Sequence, residues 1–159
     1  MEILEVMSEQ NRASFLGNLG ENIVAWLLRS KYGIQTAIVK GKGIDLLCID
    51  KEGNLFPKNQ HIAISVKTRA RSEAKNLENV ISDWSKINEA SKVWHALPYF
   101  AYVRICPEKG CITLFLVEVS EVEQWGKTFN VTKAEESSKA IFQMNFSPYP
   151  FLVDWENTK

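Results

Sequence analysis

His61-Ile62-Ala63-Ile64-Ser65-Val66-Lys67-Thr68-Arg69 is a β-branched run that reads as a strand. Alternation puts Ser65, Lys67 and Arg69 on one face and Ile64, Val66 and Thr68 on the other. A lysine therefore sits deep in an otherwise apolar stretch. Alone, the pattern also suits an edge strand with one solvated face. Just upstream, Gln35 to Lys40 and Ile44 to Asp50 read as two shorter strands joined through Gly41-Lys42-Gly43, with a turn at Lys51-Glu52-Gly53-Asn54. Before these, Arg12 to Tyr32 carries Leu16, Leu19, Ile23 and Leu27 at helical spacing, and Gly33 supplies the stop.

Downstream, a second helix is expected from an N-cap at Ser82, with Trp84, Ile87, Ala90 or Ser91, and Trp94 on its buried face and Pro98 at its end. Tyr99 to Cys106 and Cys111 to Val119 read as a hairpin. Ser120-Glu121-Val122-Glu123 and Thr132-Lys133-Ala134-Glu135 have capping-box spacing, so a short helix is expected at each. The aromatic tail from Ile141 to Trp155, broken by Pro148 and Pro150, suits an edge strand or a packed arm. This order predicts a single α/β domain over residues 1–159, a sandwich with a central mixed sheet flanked by helices.

Composition narrows the partners. Nineteen Lys and Arg balance nineteen Asp and Glu, which weakens any reading that needs a generally basic protein but leaves room for a local basic groove. No apolar run approaches the roughly 18 residues of a membrane span, and Met1 to Arg12 lacks the order of a signal peptide. A soluble, cytoplasmic protein without a membrane partner is expected. Cys48, Cys106 and Cys111 show no metal-ligand spacing with His61 or His95, so the Cys106–Cys111 segment reads as a tight turn between strands. A small-molecule enzyme built on these thiols has no activating base in the sequence.

Three segments carry chemistry. In Leu16-Gly17-Asn18-Leu19-Gly20-Glu21-Asn22-Ile23, two helical glycines each cost about 1 kcal/mol relative to alanine, so close approach of another group is expected at them. Glu21 borders the apolar stripe and by itself reads as a surface glutamate. In Gly41-Lys42-Gly43-Ile44-Asp45-Leu46, an aspartate opening an apolar strand must be exposed, hydrogen-bonded or holding a cation. The glycines do not make a dinucleotide fingerprint, because the third is missing and a strand follows. The third segment is Ser65-Val66-Lys67, followed by Arg69, Arg71 and Lys75, the densest basic stretch of the chain.

Taken in order, LGNLGENIV, GKGIDLL and ISVKTR resemble the motifs of the PD-(D/E)XK nuclease superfamily, in particular its restriction-endonuclease-like and archaeal Holliday-junction resolvase-like members. The resemblance implies a restriction-endonuclease-like fold and a divalent-metal-dependent endonuclease acting on DNA. It implies Mg²⁺ or Mn²⁺ held by Asp45 and Glu21 with the Val66 carbonyl, and Lys67 stabilising the attacking water and the developing charge. Arg69, Arg71 and Lys75 would position the nucleic acid through its phosphates. Ser65 stands where the family has an acid. Mg²⁺ tolerates one or two carboxylates with water and phosphate oxygens, so this weakens the site; Glu73 or Glu78 are the nearest acids that would replace it. The alternative is a catalytically silent nuclease-like module that binds nucleic acid or a protein partner. Trp125, Phe129 and the aromatic tail would support a homodimer, as enzymes acting on two strands often require.

Overall fold

In a computed structural model, the described residues are 9–70, 80–81, 84–106, 109–126 and 128–145. The elements are α1 (Glu9–Tyr32), β1 (Gln35–Ile38), β2 (Leu46–Ile49), β3 (His61–Ala70), β4 (Val80–Ile81), α2 (Trp84–Val93), β5 (Leu97–Cys106), β6 (Cys111–Glu118), α3 (Val119–Glu123), β7 (Thr128–Phe129), α4 (Val131–Glu136) and β8 (Ala140–Asn145). Six strands form one sheet in the order β1-β2-β3-β5-β6-β8, and β4 pairs with β7 separately. Every neighbouring pair in the large sheet is antiparallel except β3 and β5, which run parallel with α2 in the connection between them. The α/β architecture expected from the sequence, a mixed sheet flanked by helices, is therefore present.

The two faces of β3 sort the core. Ile62, Ile64 and Val66 pack with Val24, Leu27 and Leu28 of α1. Ala63, on the opposite face, joins Trp84 and Ile87 of α2, Val119 and Val122 of α3, and Val131 and Ala134 of α4. Gly33 closes α1 at φ 66°, where glycine has no Cβ penalty. Its N–H reaches the Arg29 carbonyl, and the Ile34 N–H reaches that of Leu28, satisfying carbonyls that the helix end would orphan.

Several boundaries and roles differ from the expectations. Helix α1 already includes Glu9, the first described residue and three residues before the expected start. Strands β1 and β2 stop at Ile38 and start at Leu46, because the Val39 N–H bonds the Asp45 carbonyl and the Gly41 N–H turns back to Val39, closing a loop over the intervening residues. Strand β3 runs on to Ala70. The Ser82 cap lies outside the described residues. Helix α2 ends at Val93, not at Pro98: His95 takes φ 49° and the Ala96 N–H bonds the Ser91 carbonyl. Trp94 consequently leaves the helical face and is 46% exposed, while Pro98 lies inside β5 as its second residue, near the strand start where proline is tolerated.

Neither expected capping box forms. Helices α3 and α4 begin one residue before Ser120 and Thr132, so those hydroxyls sit past the cap position. The Asn130 side chain caps α4 by accepting the Lys133 N–H at 3.0 Å, and Ser120 Oγ donates to Glu118 instead. Phe129 is no interface residue. It is fully buried at the centre of a cluster with Phe100, Tyr102, Phe115 and Trp125, with ring centroids 5.3–6.0 Å apart. Core packing of this kind withdraws Phe129 from any dimer contact, whereas Trp125 packs against it and is only half-buried. The tail forms the edge strand β8 as far as Asn145, and its remainder lies outside the described residues. Cys106 and Cys111 face each other across the β5–β6 hairpin as free thiols.

Candidate functional site

The site is built where β2 and β3 part. Their ladder ends at Leu46↔Ile64, and the Asp45 N–H bonds the Ile64 carbonyl at 2.8 Å. At the next rung the aspartate side chain takes over: Asp45 Oδ2 accepts the Val66 N–H at 2.7 Å. The second of the possibilities for an aspartate entering an apolar strand, a hydrogen bond, is thus realised. It leaves Oδ1 free of that duty at the fork.

Two glycines seat the elements around it. A methyl group on Gly20 would overlap Thr68 Oγ1 outright and lie 3.0 Å from Thr68 Cβ, so α1 rests directly on β3 at this point and delivers Glu21 to the fork. Gly43, at φ 87°, presses on the Lys86 carbonyl of α2, where a Cβ would come within 2.6 Å. This fixes the loop that carries Lys40, Lys42 and Asp45. Gly17 is different: nothing lies within 4 Å of where its Cβ would be, and the expectation of close approach fails there. Gly17→Ala should accordingly stabilise the chain by about 1 kcal/mol. Gly20→Ala should destabilise it by about 1–3 kcal/mol through overpacking, since β-branched Thr68 has few other rotamers to retreat to. Thermal unfolding of both variants, and of Gly20→Ala combined with Thr68→Ala, tests this. The double variant should recover most of the loss because Oγ1 is the main obstruction.

The electrostatics join the segments. Burial raises the proton affinity of Asp45, while the Val66 N–H and the Lys67 ammonium pull it back in part; the net direction is up. Burial also raises Glu21, the Asp45 charge raises it further, and Lys40 opposes both. Glu21 is therefore half-buried and in electrostatic contact with Asp45, more than a surface glutamate. Lys67 is half-buried, with its head group felt at Asp45, and less deeply placed than its apolar surroundings imply. Ser65 is buried on the Lys67 face, opposite Phe100 of β5. Arg69 is half-buried and donates to the Thr68 carbonyl. Arg71, Lys75, Glu73 and Glu78 lie outside the described residues. Sequence reasoning missed Lys40, whose position in Lys40-Gly41-Lys42-Gly43 is the only signal that a cation borders the carboxylates.

Two carboxylates that repel each other, each driven toward protonation by burial, are a donor set that a hard divalent cation would relieve. Among the described residues no group of three or more His, Cys, Asp or Glu side chains is placed to hold a metal.

No family profile matches the chain. A search of curated proteins returns no match. Among solved structures the fold is similar to that of Hjc, a Holliday junction resolvase from the archaeal hyperthermophile Archaeoglobus fulgidus, at 18% identity over 85% of this chain and 88% of that one, with a TM-score of 0.46. No helix among the described residues is long and apolar enough to cross a membrane.

Proposed function

We propose that residues 1–159 form a PD-(D/E)XK-type nuclease domain that hydrolyses phosphodiester bonds in DNA with Mg²⁺ or Mn²⁺. The observation that carries this reading is the Asp45 carboxylate pinned on the Val66 N–H at the β2–β3 fork, in electrostatic contact with Glu21 and Lys67. Asp45 and Glu21 would hold the cation, with Ser65 and the Val66 carbonyl offering neutral oxygens. Bound there, the metal would supply charge stabilisation at the scissile phosphate. Lys67 orients the attacking water and stabilises the negative charge that develops on the phosphoryl oxygens. The water oxygen bonds to phosphorus, one P–O ester bond breaks, and the proton lost by water ends on the departing alkoxide. Arg69, with Arg71 and Lys75, neutralises flanking phosphates and positions the strand.

Ser65 also supports a second reading, a silent module that binds DNA or a protein without cutting. The two are separated by Ser65→Glu. An added carboxylate beside Lys67 should raise Mg²⁺-dependent nicking of supercoiled DNA about tenfold or more in a nuclease whose site lacks one ligand. A Ser65→Glu protein that binds DNA and cuts nothing would establish the silent module.

A further inference from the structure

Arg69 and Arg104 are Cα partners on the parallel strands β3 and β5. They project on the same face, about 4.8 Å apart at the backbone, and like charges set opposite one another destabilise a sheet. Among the described residues little answers them. Arg104 lies over the Phe115 ring at 5.6 Å, and its Nη2 is 3.4 Å from Glu135 Oε1, a carboxylate 53% exposed and so a weak partner. Buried Arg104 Nε has no acceptor among the described residues. The same is true of the hydroxyl of Thr113, whose residue is 4% exposed and faces Arg104 from β6. Arg69 turns Nη1 back to the Thr68 carbonyl, leaving other donors of its guanidinium for a ligand.

Two arginines at partnered positions of neighbouring strands, with an idle N–H and an idle hydroxyl on the same face, are what an oxyanion with several acceptor oxygens can satisfy at once. They lie toward the C-terminal ends of the two parallel strands. Arg69 is two residues beyond Lys67 on the same face, about 6.6 Å along the strand. An anion there is therefore beside the group at the fork and not in its place. We infer that Arg69, Arg104 and Thr113 form a clamp for a backbone phosphate of DNA, next to the phosphate presented to Asp45 and Lys67. The inference rests on reading the fork as a nuclease site.

The test uses the full chain in two titrations without divalent metal. One follows thermal unfolding against inorganic phosphate at constant ionic strength. The other follows duplex oligonucleotide binding by fluorescence anisotropy over a salt series. Arg104→Lys keeps the charge and the stem but loses the planar fork, and Arg69→Gln removes one charge at a half-buried position; unliganded unfolding checks that both fold. Phosphate should raise the wild-type Tm and do so less in either variant. DNA affinity should fall about tenfold in both, with the salt slope unchanged in Arg104→Lys and reduced by about 0.9 in Arg69→Gln. Equal phosphate responses together with wild-type DNA affinity in both variants overturn the clamp, as does a wild-type protein that binds neither probe. Cleavage of DNA by such a protein would leave the nuclease reading standing. A phosphate response that depends on Arg104, in a protein that cuts no DNA, would keep the clamp and remove the nuclease.

Discussion

Asp45→Asn is expected to reduce Mg²⁺-dependent DNA cleavage by at least about a thousandfold while leaving the fold and DNA binding in place. Asparagine is the informative substitution because Asp45 has two tasks. Its Oδ2 accepts the Val66 N–H where the β2–β3 ladder ends, and an asparagine carbonyl can do the same at nearly the same shape. What asparagine removes is the charge, and with it the stronger of the two carboxylate claims on a cation; losing one anchor of charge stabilisation in a shielded site typically costs 2.7–4 kcal/mol of barrier, or about a hundredfold to a thousandfold. Loss of the metal itself adds to that. Asp45→Ala would also abolish cleavage, but it orphans the Val66 N–H, at about 1–3 kcal/mol of stability, and so blurs chemistry with folding. Lys67→Ala should match the asparagine variant within tenfold. Glu21→Gln should lose less, because Asp45 is the carboxylate pinned on β3 beside Lys67. Cleavage by Asp45→Asn at the wild-type rate, in protein purified identically, would sink the metal-dependent nuclease reading.

The same residues show where sequence reasoning has reach. Strand alternation in Ile64-Ser65-Val66-Lys67-Thr68 is a local rule, and both faces of β3 obey it: Ile64 and Val66 enter the α1 core while Ala63 enters the other. Gly20 was legible as a close approach, because a glycine inside a long helix needs an explanation. Gly17 looked identical in sequence and has no contact, since its position along α1 carries it beyond the strand it would touch. The α2 stripe was readable as far as Ser91. Trp94 was not, because the turn at His95 that redirects it depends on a positive φ that no short motif announces. The capping boxes failed for a related reason. A serine and a threonine at the right spacing compete with Glu118 and Asn130 two positions earlier, and the strand ends decide which residue becomes the cap. Arg104 is the clearest limit. Nothing near it in sequence is basic except Lys109, and its pairing with Arg69 exists only once β3 and β5 lie side by side.

Asp50 is the residue whose loss should cost the most stability, and sequence reading treated it as no more than a strand end. It is 1% exposed, and its carboxylate accepts four backbone N–H groups: Oδ1 from Glu52 and Gly53 at 3.2 and 2.8 Å, Oδ2 from Leu55 and Phe56 at 2.8 and 3.0 Å. The loop between β2 and β3 is thereby wrapped around a single anion, and Phe56 is delivered to the core against Tyr99 with centroids 4.9 Å apart. Burial pushes the carboxyl up, but the amides of Phe56, Leu55, Asn54 and Gly53 together hold it below the ordinary range. Hydrogen bonds to a charged acceptor are each worth about 1.5–3 kcal/mol, and the cost of burying the charge is set against their sum. Asp50→Asn should still cost about 2–4 kcal/mol, because an amide cannot accept on both sides and turns its NH₂ toward two N–H donors. A depressed carboxyl stabilises the fold above its unfolded value of about 3.9 and loses that contribution as pH falls through the lower folded value. The gap between wild type and Asp50→Asn, measured by urea unfolding, should therefore be constant from neutral pH to about 5 and shrink below 4. A gap that stays constant down to pH 3 would mean that shape, and not charge, is what Asp50 supplies to the loop. Equal stability at pH 7 would mean that the four amides find water as readily as they find the carboxylate.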